Sequence, residues 1–132
     1  MSHSILIVDD SPIMRKMIKR ALEVAGVEVD QVFEAGDGHE ALRLLECTPV
    51  SLVLADINMP TMNGEEMISA MSRSAALSAI PVVVISSERS PERMDRLRML
   101  GVKGQLPKPF TPEDVHALFS EIVPSAGGRN AT

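Results

Sequence analysis

Three unbroken apolar runs constrain this chain more than any other feature: residues 5–8 (Ile-Leu-Ile-Val), 52–55 (Leu-Val-Leu-Ala) and 82–85 (Val-Val-Val-Ile). They are short, rich in branched side chains and free of the polar alternation that marks a strand with one wet face. They therefore read as strands covered on both sides in a parallel sheet. Residues 29–33 and a weaker run at 102–106 read as two further strands. The intervening segments carry helical spacing. After Ser11, the apolar residues Ile13, Met14, Met17, Ile18, Ala21 and Leu22 recur on one predicted core face, with Arg15, Lys16, Lys19 and Arg20 on the solvated side and Gly26 ending the run. Similar patterns occupy 41–45, 67–71, 94–100 and 115–122. Ser11-Pro12, Ser90-Pro91 and Thr111-Pro112 each place a capping hydroxyl before a proline, whose missing N–H costs nothing at the first helical position. Asp37 with Glu40, and Asn63 with Glu66, mark two more starts. Five strands alternating with five helices predict a doubly wound α/β fold.

A length of 132 residues with 45% hydrophobic content suits one core, so residues 1–124 are expected to form a single domain and 125–132 a flexible tail or the start of a linker. The formal charge of −5 and the acidic isoelectric point near 5.1 weigh against a broad basic surface for nucleic acid or anionic lipid, and a protein partner is expected. Cys47 is the only cysteine, which excludes an internal disulfide and a CxxC metal pair and suits the reducing cytoplasm. The first apolar run stops at Asp9 and Asp10, far short of a signal-peptide core or membrane span. Asn130, Ala131 and Thr132 spell a glycosylation sequon, read as chance without a secretion signal. Nine methionines and no Tyr or Trp assign much of the core filling to thioethers.

In open parallel sheets, ligands bind beyond the carboxyl ends of the strands. The first strand delivers Asp9 and Asp10 there, the third Asp56, the fourth Ser86 and the fifth Lys108. Three crowded carboxylates repel one another unless a cation or proton intervenes, and an all-oxygen cluster selects a hard cation. Mg²⁺ keeps several waters and takes one or two carboxylates plus phosphate oxygens, which matches an open rim better than a calcium cage does. A remaining carboxylate can then attack phosphorus to give an acyl phosphate, with Lys108 offsetting charge on the transferring oxygens and Ser86 bonding the new group.

Taken together, Ile7-Val8-Asp9-Asp10-Ser11, Asp56-Ile57-Asn58-Met59-Pro60, Asn63-Gly64, Ser86 and Lys108-Pro109-Phe110 resemble the motif set of receiver domains in bacterial two-component response regulators. The resemblance covers roughly residues 4–123 and implies a CheY-like, flavodoxin-like fold with strand order 2-1-3-4-5. It further implies that Asp56 is the phosphoacceptor and one of the metal ligands, Asp10 a direct Mg²⁺ ligand, Asp9 a ligand mainly through water, and the Asn58 carbonyl another ligand. Lys108 would contact the phosphoryl group and Ser86 would swing inward to bond it. The Lys108-Pro109 peptide is expected to be cis, a geometry essentially restricted to X-Pro bonds. Asn58 and Glu88 would flank the phosphoryl group, a pairing resembling short-lived chemotaxis switches, and imply autodephosphorylation within minutes rather than hours. Gln105 stands where many receivers carry an aromatic residue, so the usual aromatic rotamer switch is unavailable. Pro107 cannot donate a ladder hydrogen bond and predicts a short or irregular fifth strand.

The leading expectation is a stand-alone, monomeric or weakly dimeric switch, not an enzyme on external substrates. It would take phosphoryl groups from a histidine kinase or phosphotransfer protein and meet its target through the fourth helix, fifth strand and fifth helix. A receiver regulating an enzyme or DNA-binding domain outside this sequence is the alternative. An aspartyl-phosphate phosphohydrolase ranks third, because such enzymes place a second Asp where Asn58 stands. His3, His39 and His116 have no ligand spacing and read as surface residues. Arg89, Arg93, Arg96 and Arg98 make the fourth helix and its approach basic, a solvated face or a contact for an acidic partner segment.

Overall fold

The computed structural model describes residues 3–87 and 90–122. The elements run β1 (Ser4–Val8), α1 (Pro12–Val24), β2 (Gln31–Ala35), α2 (Gly38–Cys47), β3 (Leu52–Asp56), α3 (Gly64–Ser72), β4 (Val82–Ser86), α4 (Pro91–Met99), β5 (Gly104–Pro107) and α5 (Pro112–Ile122). All strand pairs are parallel, in the order β2-β1-β3-β4-β5. The three continuously apolar runs occupy the centre, where both faces are covered.

Side-chain alternation divides the core between two helical layers. Leu6, Val8, Val53, Ala55, Val82 and Val84 pack with Ala41, Leu45, Met67, Met71 and Leu97 of α2, α3 and α4. Ile5, Ile7, Leu52, Leu54, Val83, Ile85 and Leu106 pack on the other side with Ile18, Leu22, Val115 and Phe119 of α1 and α5. Among the described residues, no helix is long and apolar enough to cross a membrane.

The predicted helix starts are caps in the fold. Ser11, Asp37 and Ser90 accept from the backbone N–H three residues on, and Asn63 with Glu66 forms a reciprocal capping box. Thr111 and Asp114 exchange the same pair of bonds at α5. Each such cap contributes about 1 kcal/mol. At the other end of α1, Gly26 takes φ +78°, its N–H bonds the Glu23 carbonyl, and the Val27 N–H reaches back to Leu22. This is a Schellman closure, for which glycine avoids the Cβ penalty of the left-handed region.

Several expectations need correction. β2 begins at Gln31 rather than Val29, because the ladder with β1 starts by pairing Ser4 with Gln31 and ends by pairing Val8 with Ala35. β5 begins at Gly104 rather than Val102, since the Val102 N–H is used to close α4 on the Leu97 carbonyl. β5 is short, four residues ending at Pro107. Ile13 and Met17, assigned to the core by helical spacing, are 73% and 53% exposed, so the buried stripe of α1 is narrower than its apolar one. Met99 is 88% exposed, against the expectation that methionines fill the core. His3 is buried rather than on the surface. Residues 125–132, read as a tail, together with Glu88 and Arg89, lie outside the described residues.

Candidate functional site at the carboxyl edge of the sheet

β1 and β3 lie side by side, with Val8 paired to Ala55, so the residues that follow them, Asp9 and Asp56, emerge together. Asp56 pairs with Ile85 across β3 and β4, and Ser86 pairs with Pro107 across β4 and β5. The parallel register therefore carries Asp9, Asp10, Asp56, Ser86 and Lys108 to one edge. Asp9 and Asp56 are buried, Ser86 is fully covered, and Asp10 faces solvent.

Lys108 Nζ stands 3.4 Å from Asp9 Oδ2 and 3.5 Å from Asp56 Oδ1. One ammonium thus faces two buried carboxylates. Burial pushes the Asp56 carboxyl above its ordinary range; Lys108 pulls it down, the Asp9 charge raises it, and hydrogen bonds from the Asn58 and Ile57 backbone lower it. Asp9, Asp10 and Asp56 each offer a carboxylate oxygen, and the three oxygens lie within 4.8 Å of one another. A donor set of carboxylates alone, open to solvent at Asp10, fits a hard divalent cation such as Mg²⁺. Asn58 is exposed two residues beyond Asp56.

The loops around the cluster are tightly specified. A Cβ on Gly64 would collide with the Asp56 carbonyl oxygen and the Ile57 Cα, and the Gly64 N–H bonds the Ile57 carbonyl at 2.8 Å. Only glycine allows α3 to start against the backbone of the acidic strand end. Thr61 adopts φ +66° in a tight turn in which Met62 N–H bonds the Pro60 carbonyl at 2.7 Å, a strained conformation for a β-branched residue. The Lys108-Pro109 peptide is cis, and the Lys108 N–H bonds the Ser86 carbonyl at 3.2 Å.

Two features were not legible as site elements. Arg15, assigned by spacing to the solvated face of α1, instead bonds the Asp9 carbonyl through Nη1 at 2.5 Å and Glu34 Oε1 through Nε at 2.7 Å. The signals were an arginine in the first turn after the acidic pair and a glutamate late in β2, which mean little until the strands are paired. Arg93 and Arg96, read as a solvated face or a contact for an acidic partner, both reach Glu65 of α3, at 3.0 and 3.1 Å. They hold its carboxyl below the ordinary range, Arg96 foremost. Gln105 is exposed on β5 and borders a small pocket of about 140 Å³ with Val84, Met94, Leu97 and Val102.

Residues 5–120 match the family described as response regulator receiver domain. The two-component response regulator ORR11 of Oryza sativa subsp. indica is 39% identical over 121 residues, covering 91% of this chain and 80% of that protein. Chemotaxis protein CheY4 of Vibrio cholerae superposes with a TM-score of 0.81 at 31% identity, covering 92% of this chain and 98% of that one. The N-terminal domain of an uncharacterized protein from Wolinella succinogenes superposes with a TM-score of 0.78 at 28% identity, covering 90% and 92%. On this sequence match and this shared CheY-like architecture, the chain belongs to the response regulator receiver domain family of two-component signalling.

Proposed function

We propose that the domain is a phosphorylatable switch of a two-component phosphorelay in which Asp56 accepts a phosphoryl group in a Mg²⁺-dependent reaction. The observation that carries this reading is the position of Lys108 Nζ, 3.4 Å from Asp9 and 3.5 Å from Asp56, beside a cluster of three carboxylates. An Asp56 carboxylate oxygen attacks phosphorus, and the bond from phosphorus to the donor nitrogen or oxygen breaks. Asp10, Asp56 and the Asn58 carbonyl would hold the metal, and Asp9 would act mainly through water. When bound, Mg²⁺ supplies positive charge that offsets the phosphoryl oxygens. Lys108 contributes the second positive charge from the opposite chain segment. Ser86 Oγ bonds the new phosphoryl group, and Asn58 and Glu88 set the access of hydrolytic water, giving a lifetime of minutes rather than hours.

The donor is a histidine kinase or phosphotransfer protein. Ile13 and Met17 expose apolar surface on the helix that follows Asp10, which favours donor docking there. The phosphorylated state changes affinity for a protein target at the surface of α4, β5 and α5, in the manner of a stand-alone chemotaxis switch. With Gln105 in place of an aromatic residue, Ser86 and the start of α4 carry the signal. A second reading, a receiver within a larger regulator, is favoured by the Wolinella succinogenes structure, which is the N-terminal domain of its protein.

The test is incubation with Mg²⁺ and acetyl phosphate, followed by a phosphate-sensitive gel. Wild type is expected to shift and Asp56→Asn to remain unshifted; equal labelling of the two would refute the reading.

A further inference from the structure

We propose that Arg15 is a positioning residue for the metal-binding carboxylates, acting through the peptide that joins Asp9 to Asp10. This inference rests on the Mg²⁺ reading of the acidic cluster.

Asp9 and Asp10 lie between the end of β1 at Val8 and the cap of α1 at Ser11, so beyond the last ladder bond from the Asp9 N–H neither element's regular hydrogen bonding holds them. Asp9 is instead anchored group by group. Its N–H bonds the Ala35 carbonyl at 3.0 Å, its Oδ1 accepts from the Ser11 N–H at 2.9 Å, and its Oδ2 faces Lys108. The remaining group is its carbonyl, which accepts from Arg15 Nη1 at 2.5 Å. That carbonyl belongs to the Asp9-Asp10 peptide, and the plane of this peptide sets where the exposed Asp10 carboxylate can point. Arg15 is itself fixed: its Nε donates to Glu34 Oε1 at 2.7 Å, while Lys19 holds the other Glu34 oxygen at 2.8 Å.

The arrangement uses the guanidinium fork. Two N–H groups at fixed angles reach the carbonyl and the carboxylate together, which a single ammonium on a flexible stem does less well. Charge alone would act in the opposite direction, because a cation beside the cluster repels an incoming Mg²⁺. The two roles therefore predict opposite signs.

Mg²⁺ affinity, measured by titration calorimetry at constant ionic strength on wild type, Arg15→Ala, Arg15→Lys, Glu34→Gln and Lys16→Ala, decides between them. Partners that orient metal ligands are typically worth about 10–100-fold in affinity. Arg15→Ala and Arg15→Lys are expected to weaken binding by about 10-fold or more, and Glu34→Gln by less. Lys16, exposed on the same helix, controls for net charge, and its removal is expected to leave affinity unchanged or slightly tighter. Unchanged or tighter binding by Arg15→Ala in a protein that still melts cooperatively would overturn the inference. So would weakening by Lys16→Ala as large as that of Arg15→Ala. If wild type itself binds no Mg²⁺, the reading of the cluster fails first and this inference falls with it.

Discussion

Lys108 Nζ lies 3.5 Å from Asp56 Oδ1, although one residue follows the fifth strand and the other ends the third. The buried carboxylate and the ammonium define the direction in which negative charge can be delivered to the site. Replacing Lys108 with Met removes the only protein cation facing both Asp9 and Asp56 among the described residues. Phosphorylation of Asp56 by acetyl phosphate is expected to slow by about 100-fold or more, the usual cost of deleting one preorganised charge-stabilising donor. Initial rates at saturating Mg²⁺ measure it, and a rate within a few-fold of wild type would contradict the assigned role.

The protonation of Asp56 carries a second expectation. Burial raises its folded-state pKa above that of the unfolded chain, so the folded state binds the proton more tightly. Ionised Asp56 therefore opposes folding, a penalty absent well below the unfolded value and complete above the folded one. In the absence of metal, Asp56→Asn should raise Tm at neutral pH, by about 4 °C for each kcal/mol relieved. The gain should shrink as pH falls toward the ordinary carboxylate range. Thermal melts in EDTA across that range test the sign, and a variant that melts lower than wild type at neutral pH would contradict it.

Metal binding should stabilise the fold, because the three carboxylates converge only in the native state. At a Mg²⁺ concentration about 100-fold above the dissociation constant, the gain is about 2.7 kcal/mol. Asp10→Asn is expected to remove most of it. Paired melts with MgCl₂ and EDTA show the difference, with wild type shifting and the variant shifting little.

Gly64 touches the site through its lack of a side chain. The added methyl of Gly64→Ala would meet the Asp56 carbonyl and the Ile57 backbone, neither of which can rotate away. The substitution should cost about 3 kcal/mol by urea denaturation and slow phosphorylation by shifting the strand end that carries Asp56. A stability within experimental error of wild type would show that the loop can give way.

The ion pairs between α3 and α4 should tune the movement of α4 more than global stability. Glu65 is held below its ordinary pKa by Arg96 and Arg93, so its contribution is present above the unfolded value and is lost as pH falls through the folded one. Glu65→Gln should cost less than about 1 kcal/mol at neutral pH, diminish with salt, and vanish in acid. It should also release α4 for movement, seen as larger amide shift changes in α4 on adding beryllofluoride and Mg²⁺. Equal shift changes in both proteins would place the coupling elsewhere.

Local chemistry marked most elements of this protein: the continuous apolar runs read as covered strands and became the three central ones, and the hydroxyl-proline and Asn-Glu pairs begin helices where predicted, while the starts of β2 and β5 were set by strand pairing and by the closure of α4. Asp9, Asp10, Asp56, Ser86 and Lys108 were legible for the same reason, since each lies within two residues of the end of a predicted strand and parallel pairing sends all such residues to one edge. The tertiary structure decided what depends on two segments meeting. Arg15 met the acidic strand end only when β2 brought Glu34 beside α1, and Arg93 and Arg96, read as a solvated face or a contact for an acidic partner, gained ties to Glu65 only when α4 came beside α3. The exposure of Ile13 and Met17 was decided likewise, because periodicity reports which residues share a helix face but not how much of that face its neighbours cover. A long, charged side chain can serve solvent, a partner or its own backbone with equal local propensity, and only the position of the opposite charge in space selects among them.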